Sequence, residues 1–177
     1  MNTVFIASDG KKGYESSRVF ALVCLDFYLK ENNIDAEYDF FYKESGEPAF
    51  RRIISNGIKR NSGEVCELFV SISHSKDYLV VAIGSEKIGI DVEVIRDIKY
   101  KGIAEKFFSK AQCKDVAENG LRRFFEYWVR YEAAHKREGI GIFAGKNIGA
   151  DSAGLIDVND EICLAVACEK QCSLRFI

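Results

Sequence analysis

Two acidic residues stand two apart in Lys87-Ile88-Gly89-Ile90-Asp91-Val92-Glu93-Val94. A strand turns alternate side chains to opposite faces. Ile88, Ile90, Val92 and Val94 therefore share one side, and Gly89, Asp91 and Glu93 the other. The two carboxylates point the same way, about 7 Å apart along the backbone. Gly89 is expected to leave open space beside them for a bulky ligand. Taken alone, the same pattern also suits a half-exposed strand with a polar outer face. A second segment, 121–138, reads as a helix. At about 100° per residue, Leu121, Phe125, Trp128 and Val129 form one stripe, and Glu132 and Lys136 fall inside it. A carboxylate on a core-facing side costs roughly several kcal/mol unless it is paired or bound to metal. The plainer alternative is an exposed i,i+4 Glu132–Lys136 ion pair, worth about 0.3–0.5 kcal/mol.

Joined, the two segments offer three carboxylates on rigid elements. Asp91, Glu93 and Glu132 suit a hard cation, Mg²⁺ or Mn²⁺, rather than zinc. Such an ion keeps waters and completes its shell with phosphate oxygens. Lys136, one turn beyond Glu132, would reach the same phosphates. Phosphoryl-type transfer uses a metal and a lysine in this way, to neutralise charge on phosphate oxygens. His74 follows an apolar run in Val70-Ser71-Ile72-Ser73-His74-Ser75. It reads either as a hydrogen-bonded turn residue or, beside a metal–diphosphate centre, as a phosphate contact. His135 lies about 80° from the Glu132–Lys136 stripe and is expected at the surface or in a supporting position.

The elements that must carry these residues follow from periodicity and punctuation. Strands are expected at 3–7, 38–42, 68–73, 78–83 and 87–95, and again at 154–158, 161–168 and 173–177. Helices are expected at 14–31, 103–108, 110–118 and 121–138, the last ended by Gly139 and Gly141. In the first helix, Val19, Leu22, Val23, Phe27 and Leu29 approximate one apolar face. The only proline, Pro48, sits in a turn at 45–48. From there to Gly63 there is no acidic residue, while Arg51, Arg52, Lys59 and Arg60 are present. That segment is either a solvated loop or helix face or an anion-binding surface. The order of elements makes an α+β protein of two similar α/β lobes, 1–85 and 86–177. Each lobe would be a small antiparallel sheet packed with helices, and the second would carry the metal site.

Composition bounds the function. The chain has 177 residues, 47% hydrophobic and 29% charged, ordinary for a globule with its own core. No apolar run is long enough to span a membrane. The net charge of −2 argues against a nucleic-acid partner. The six cysteines include no C-x-x-C pair, so a structural zinc site is not expected. They read as reduced and mostly buried. Without a basic leader before the first apolar run, a cytoplasmic location is expected.

The ordered set Ser73-His74-Ser75, then Gly89-Ile90-Asp91-Val92-Glu93, then Phe107-Phe108-Ser109, then Trp128-x-x-x-Glu132-Ala133-x-x-Lys136 with Gly139 and Gly141, resembles the 4'-phosphopantetheinyl transferases. More narrowly, it is similar to their pseudodimeric, surfactin-synthetase-activating type. The resemblance runs over about residues 45–141. It implies transfer of the phosphopantetheine arm of coenzyme A to a serine of an apo acyl, peptidyl or polyketide carrier protein, with release of 3',5'-ADP. It implies that Asp91, Glu93 and Glu132 hold Mg²⁺ on the diphosphate, and that Glu132 helps deprotonate the serine. Lys136 would stabilise the diphosphate and assist the leaving group, and Ser73 and His74 would contact coenzyme A phosphates. Coenzyme A would lie between the lobes of a monomer. Acidic carriers would suit a basic helical surface such as 99–114. Two positions depart from the family pattern. Tyr131 stands where a lysine usually precedes the catalytic glutamate, and the usual Gly-Lys-Pro is Gly46-Glu47-Pro48. Arg51, Arg52 or Lys43 is expected to supply the missing cation, and Lys11, Lys12 and Arg18 are candidates for the 3'-phosphate. The alternatives are a coenzyme A or carrier-binding module of the same fold without turnover, and a metal-dependent phosphohydrolase.

Overall fold

Alternating apolar residues make the first strand two-sided. In the computed structural model, which describes residues 1–8, 17–53, 68–141 and 148–177, Phe5 and Ala7 of β1 (Asn2–Ala7) face one core, and Val4 and Ile6 face another. The first core is roofed by α1 (Ser17–Glu31). The hairpin β2 (Tyr38–Tyr42) and β3 (Pro48–Arg52) closes its side with Phe40 and Phe50. β4 (Phe69–Ser75) and β5 (Tyr78–Gly84) complete the sheet, whose order is β4-β5-β1-β9. β9 (Cys172–Phe176) is the last strand and runs parallel to β1, whereas β1–β5 and β4–β5 are antiparallel.

The second half starts with β6 (Gly89–Val94). It then runs through α2 (Lys101–Phe107), α3 (Lys110–Glu138), β7 (Gly154–Ile156) and β8 (Ile162–Ala167). The antiparallel sheet β6-β8-β7 lays Ile90, Val92, Val94, Ile162, Leu164 and Val166 on Val4, Ile6, Val80 and Ala82. Each such fully buried aliphatic side chain contributes about 1.5–3 kcal/mol. The opposite face of β8 carries Cys163, Ala165 and Ala167, small enough for α3 to approach with Phe125, Val129 and Ala133. The result is a mixed α+β stack in four layers: α1, first sheet, second sheet, α3. Among the described residues no helix is long and apolar enough to cross a membrane.

The junction between the sheets has its own chemistry. β6 bonds to β8 along one edge. Along its other edge the N–H groups of Ile90, Val92 and Val94 donate to the hydroxyls of Ser71, Ser73 and Ser75 at 3.1, 3.4 and 3.1 Å. Three serines at a two-residue spacing thus replace a neighbouring strand, because buried backbone donors require partners. Ser71→Ala leaves the buried Ile90 N–H without its acceptor. We expect a loss of about 1–2 kcal/mol in denaturant unfolding, with normal secondary structure by circular dichroism. Unchanged stability would mean that the serine row is incidental.

Several expectations need correction. The segment 48–52 is not a loop or helix face but strand β3, paired to β2 with Phe40 opposite Phe50. The buried side of α1 is Phe20, Ala21, Cys24, Leu25 and Tyr28. Val19, Leu22 and Phe27 are exposed instead. A helix rich in apolar residues on more than one side does not reveal which face meets the sheet. Cys24 and Cys163 are buried, whereas Cys113, Cys168 and Cys172 are only partly so. Lys11, Lys12, Tyr14, Lys59, Arg60 and Cys66 lie outside the described residues.

α3 is held at three points. Ser109 and Gln112 form a reciprocal capping box at its start, with bonds of 3.2 and 2.9 Å. Gly120, at φ 77°, breaks it into the two helical stretches expected from the sequence. Gly139, at φ 68°, ends it in the left-handed conformation that glycine adopts without strain. The last two turns, which carry Glu132 and Lys136, therefore lie between the break at Gly120 and the stop at Gly139.

Candidate active site

Asp91 is at the centre. It is 3% exposed. Its Oδ1 accepts from the Ser73 hydroxyl at 2.6 Å and from Lys136 Nζ at 2.7 Å. Its Oδ2 is buried and has no hydrogen-bond partner among the described residues. Burial pushes the Asp91 carboxyl up, while Lys136 and Ser73 favour its ionised form and Glu93 opposes it. Glu93, at the next outward position of β6, accepts from Ser75 at 2.7 Å and from Arg96 at 2.6 Å. The serine row therefore has a second use: Ser73 and Ser75 each accept from β6 backbone and donate to a β6 carboxylate.

Glu132 comes from the other direction, on α3. Burial raises its carboxyl to about 7, helped by Asp91 and Glu93 and opposed by Lys136 and a hydrogen bond from Trp128. The charges of the strand pair and the helix glutamate thus act on one another, which the sequence could only suppose. Sharing one region, Asp91 and Glu93 both add to the raising of Glu132, as like charges must. In the metal-free protein, Glu132 retains a proton in the folded state between its ordinary value near 4.5 and about 7. The folded state then binds more protons than the unfolded one, so stability falls as pH rises through that window. Unfolding midpoints in chelator from pH 4.5 to 7.5 should show this fall, and Glu132→Gln should flatten it. An equal slope in both proteins would remove Glu132 as its source.

Gly89 does not open space for a ligand, contrary to the expectation. A Cβ there would overlap the Ala133 carbonyl oxygen and lie 2.5 Å from the Arg137 amide nitrogen of α3. The helix backbone itself occupies that space, and this close approach sets Glu132 and Lys136 over the strand carboxylates.

Beside the acidic group lies a cleft of about 580 Å³. The β2–β3 hairpin, β4, Lys87-Ile88 and the end of α3 line it. Its charged lining is Lys43, Lys87, Lys136 and Arg137 against Glu47 and Glu138. Lys136 therefore touches both features, bonding Asp91 on one side and lining the cleft on the other. Glu47 does not stand unneutralised: Lys43 Nζ lies 3.1 Å from its carboxylate. The same carboxylate covers the Cα of Gly139, where any Cβ would collide with it.

The remaining candidates fall elsewhere. Arg51 pairs with Asp39 at 3.5 Å and lies over the Phe41 ring at 4.9 Å. Neither it nor Arg52 lines the cleft. Arg18 lies over Phe40 at 6.0 Å. His74 is exposed, on the face of β4 opposite the serine row. His135 is not at the surface; it is 1% exposed, bonded to the Tyr131 carbonyl at 2.8 Å and tilted against the Tyr131 ring at 4.1 Å between centroids. Tyr131, 7% exposed, also packs against Phe107, so it fills an aromatic cluster and does not line the cleft. Sequence reasoning missed Ser71 and Ser75 as supports, and Lys87 and Arg137 as cleft cations. The serine spacing was a visible signal; the lysine and arginine had none.

Among the described residues, no three His, Cys, Asp or Glu side chains close on one point as metal ligands. The donor chemistry nevertheless fits a hard divalent cation. Asp91 has an orphaned buried oxygen, and, of the three oxygen-donor carboxylates, Asp91 and Glu93 both oppose the ionisation of Glu132.

No family model matches the chain. Among curated proteins it is similar to 4'-phosphopantetheinyl transferase psf-1 of Bacillus pumilus, at 38% identity over 79 residues, 42% of this chain. It is also similar to 4'-phosphopantetheinyl transferase gsp of Aneurinibacillus migulanus, at 37% over 86 residues, 44% of this chain. A third relative, 4'-phosphopantetheinyl transferase Sfp of Bacillus subtilis (strain 168), is 34% identical over 76 residues, 41% of this chain. The matched stretch covers 34% of the length of each relative. These similarities support the family indicated by the motifs, over about two fifths of the chain.

Proposed function

We propose that the protein is a 4'-phosphopantetheinyl transferase that moves the phosphopantetheine arm of coenzyme A onto a serine hydroxyl of an apo carrier protein. The observation that carries this reading is Lys136, which joins a buried acidic group to a cation-lined cleft. A diphosphate needs both, positive side chains along its length and a site for a divalent cation at the reacting phosphorus. The cleft between residues 1–85 and 86–177 is taken as the coenzyme A site.

Each side chain then has a task. Lys43, Lys87 and Arg137 neutralise phosphate oxygens in the cleft. Asp91, Glu93 and Glu132 would hold Mg²⁺, or Mn²⁺ in its place. When bound, such an ion supplies charge neutralisation at the diphosphate. Ser73 and Ser75 orient the strand carboxylates. Glu132 would take the proton from the attacking serine. Lys136 leaves Asp91 for the diphosphate and stabilises 3',5'-ADP as it departs. Ser73 is assigned to Asp91 and not to phosphate, because its hydroxyl is already committed. His74 remains a candidate contact for coenzyme A from the rim.

The test is to incubate the protein with coenzyme A, Mg²⁺ and an apo carrier protein, and then weigh the carrier. A mass gain equal to the arm is expected. Coenzyme A binding without a gain would point to a binding module, and coenzyme A breakdown without a gain to a hydrolase. Glu132→Gln should lower turnover about 10²–10⁴-fold while the protein stays folded, since the two side chains are alike in volume. Normal turnover by that variant would exclude Glu132 from the reaction.

A further inference from the structure

The turn that joins the two sheets holds a pair of thiols which the transfer chemistry does not use. Cys168 follows β8, and Cys172 opens β9. Their sulfurs are 2.9 Å apart, and both are partly accessible. A disulfide needs about 2.05 Å, so closure takes less than about 1 Å of movement. The turn is already braced. Glu86 accepts from the Lys170 amide at 2.7 Å, from the Glu169 amide at 3.2 Å and from Asn2 Nδ2 at 2.8 Å. Those bonds hold its carboxyl below the usual carboxylate range, the Asn2 bond foremost. Asn2, fully buried at the start of β1, faces Cys172 in the parallel ladder. The same anchor thus holds the middle of the four-residue turn 168–171 and, through Asn2, its β9 end.

We propose that Cys168 and Cys172 form a reversible intrachain disulfide that fastens β9 to the end of β8 and so ties the first sheet to the second. The oxidant is a low-molecular-weight disulfide. Burial, with the neighbouring Cys168, raises the Cys172 thiol to about 12, so the first attack falls to Cys168. Its sulfur bonds to one sulfur of the oxidant, whose S–S bond breaks and releases one small thiol. Cys172 then attacks the Cys168 sulfur and releases the second. Two electrons pass to the oxidant, and the two protons lost by the protein end on the small thiols. The bond lies at the Gly89–Ala167 end of the β6–β8 ladder. Its mechanical effect is on β9, an edge strand whose one neighbouring strand among the described residues is β1 and which is also tied to α1 by Arg175–Glu31 at 2.9 Å.

The full chain should be equilibrated with oxidised glutathione, its remaining thiols alkylated, and its peptides mapped by mass spectrometry. The expected result is a species about 2 Da lighter, cross-linked between Cys168 and Cys172, restored by dithiothreitol. Cys168→Ser and Cys172→Ser should each abolish that cross-link, whereas Cys113→Ser, at another partly exposed thiol, should not. Amide hydrogen exchange over 172–176 should slow several-fold in the oxidised form. The proposal is overturned if Cys168 and Cys172 stay alkylatable after Cys113 has reacted, if the cross-link joins two chains, or if exchange in β9 is unchanged by oxidation.

Discussion

Gly89→Ala is expected to destabilise the protein strongly. The added carbon would lodge against the Ala133 carbonyl and the Arg137 amide, a pair four residues apart that a helix joins by one hydrogen bond. Neither atom can move without moving α3. Overpacking of this kind costs about 1–3 kcal/mol where side chains can yield, and here the obstacle is backbone. We expect at least the upper figure, and a melting temperature lower by about 6–12 °C. The change also moves Glu132 and Lys136 away from Asp91, so activity should fall in whatever protein remains folded. A melting temperature within a degree or so of the parent's would show that the helix has room to spare, and would remove the close approach as the device that assembles the site.

Lys136→Met is the second large effect, and it separates stability from chemistry. Asp91 is almost fully buried, and among the described residues Lys136 is its only cationic partner by direct contact. Breaking a buried pair by removing one partner costs about 3–5 kcal/mol, because the remaining charge is stranded. Lys136 is 32% exposed by side chain, so water offsets part of this and about 2 kcal/mol is expected. The loss should shrink at lower pH, where Asp91 takes a proton and the stranded charge disappears. Asp91→Asn in the same background should restore most of the stability, since the amide needs no cation. Neither variant should transfer, because both lack the lysine. A double-mutant cycle by urea unfolding measures the coupling. If Lys136→Met alone is as stable as the parent at neutral pH, the ion pair contributes nothing and Asp91 is neutral in the folded state.

These two expectations rest on different kinds of information. The alternation of Ile88, Ile90, Val92 and Val94 with Gly89, Asp91 and Glu93 was legible in the chain, and the structure keeps it. The break at Gly120 and the stop at Gly139 were legible too, since glycine marks places that other residues cannot occupy without strain. The region linking Glu132 to the strand carboxylates was inferred from the unfavourable cost of a lone carboxylate on a core-facing stripe. In contrast, α1 has apolar residues on two sides, and its sequence pointed to Val19, Leu22 and Phe27, which are exposed. The basic stretch drew attention to Arg51 and Arg52, yet the hairpin register leaves both out of the cleft lining, while Lys43 is in it.

What the order of residues determined by itself was the set of elements apart from β3, the sidedness of β6 and the chemical types available at the site. Each of these is written in a local period that burial imposes on one element at a time. What only the tertiary structure decided was which partners meet: Ser71, Ser73 and Ser75 on the free edge of β6, the α3 backbone on Gly89, Lys136 between Asp91 and the cleft, and Cys168 against Cys172. Those contacts join residues from separate elements, or from either side of a turn. They depend on how far apart two surfaces settle, a distance set by the packed volume of every side chain between them.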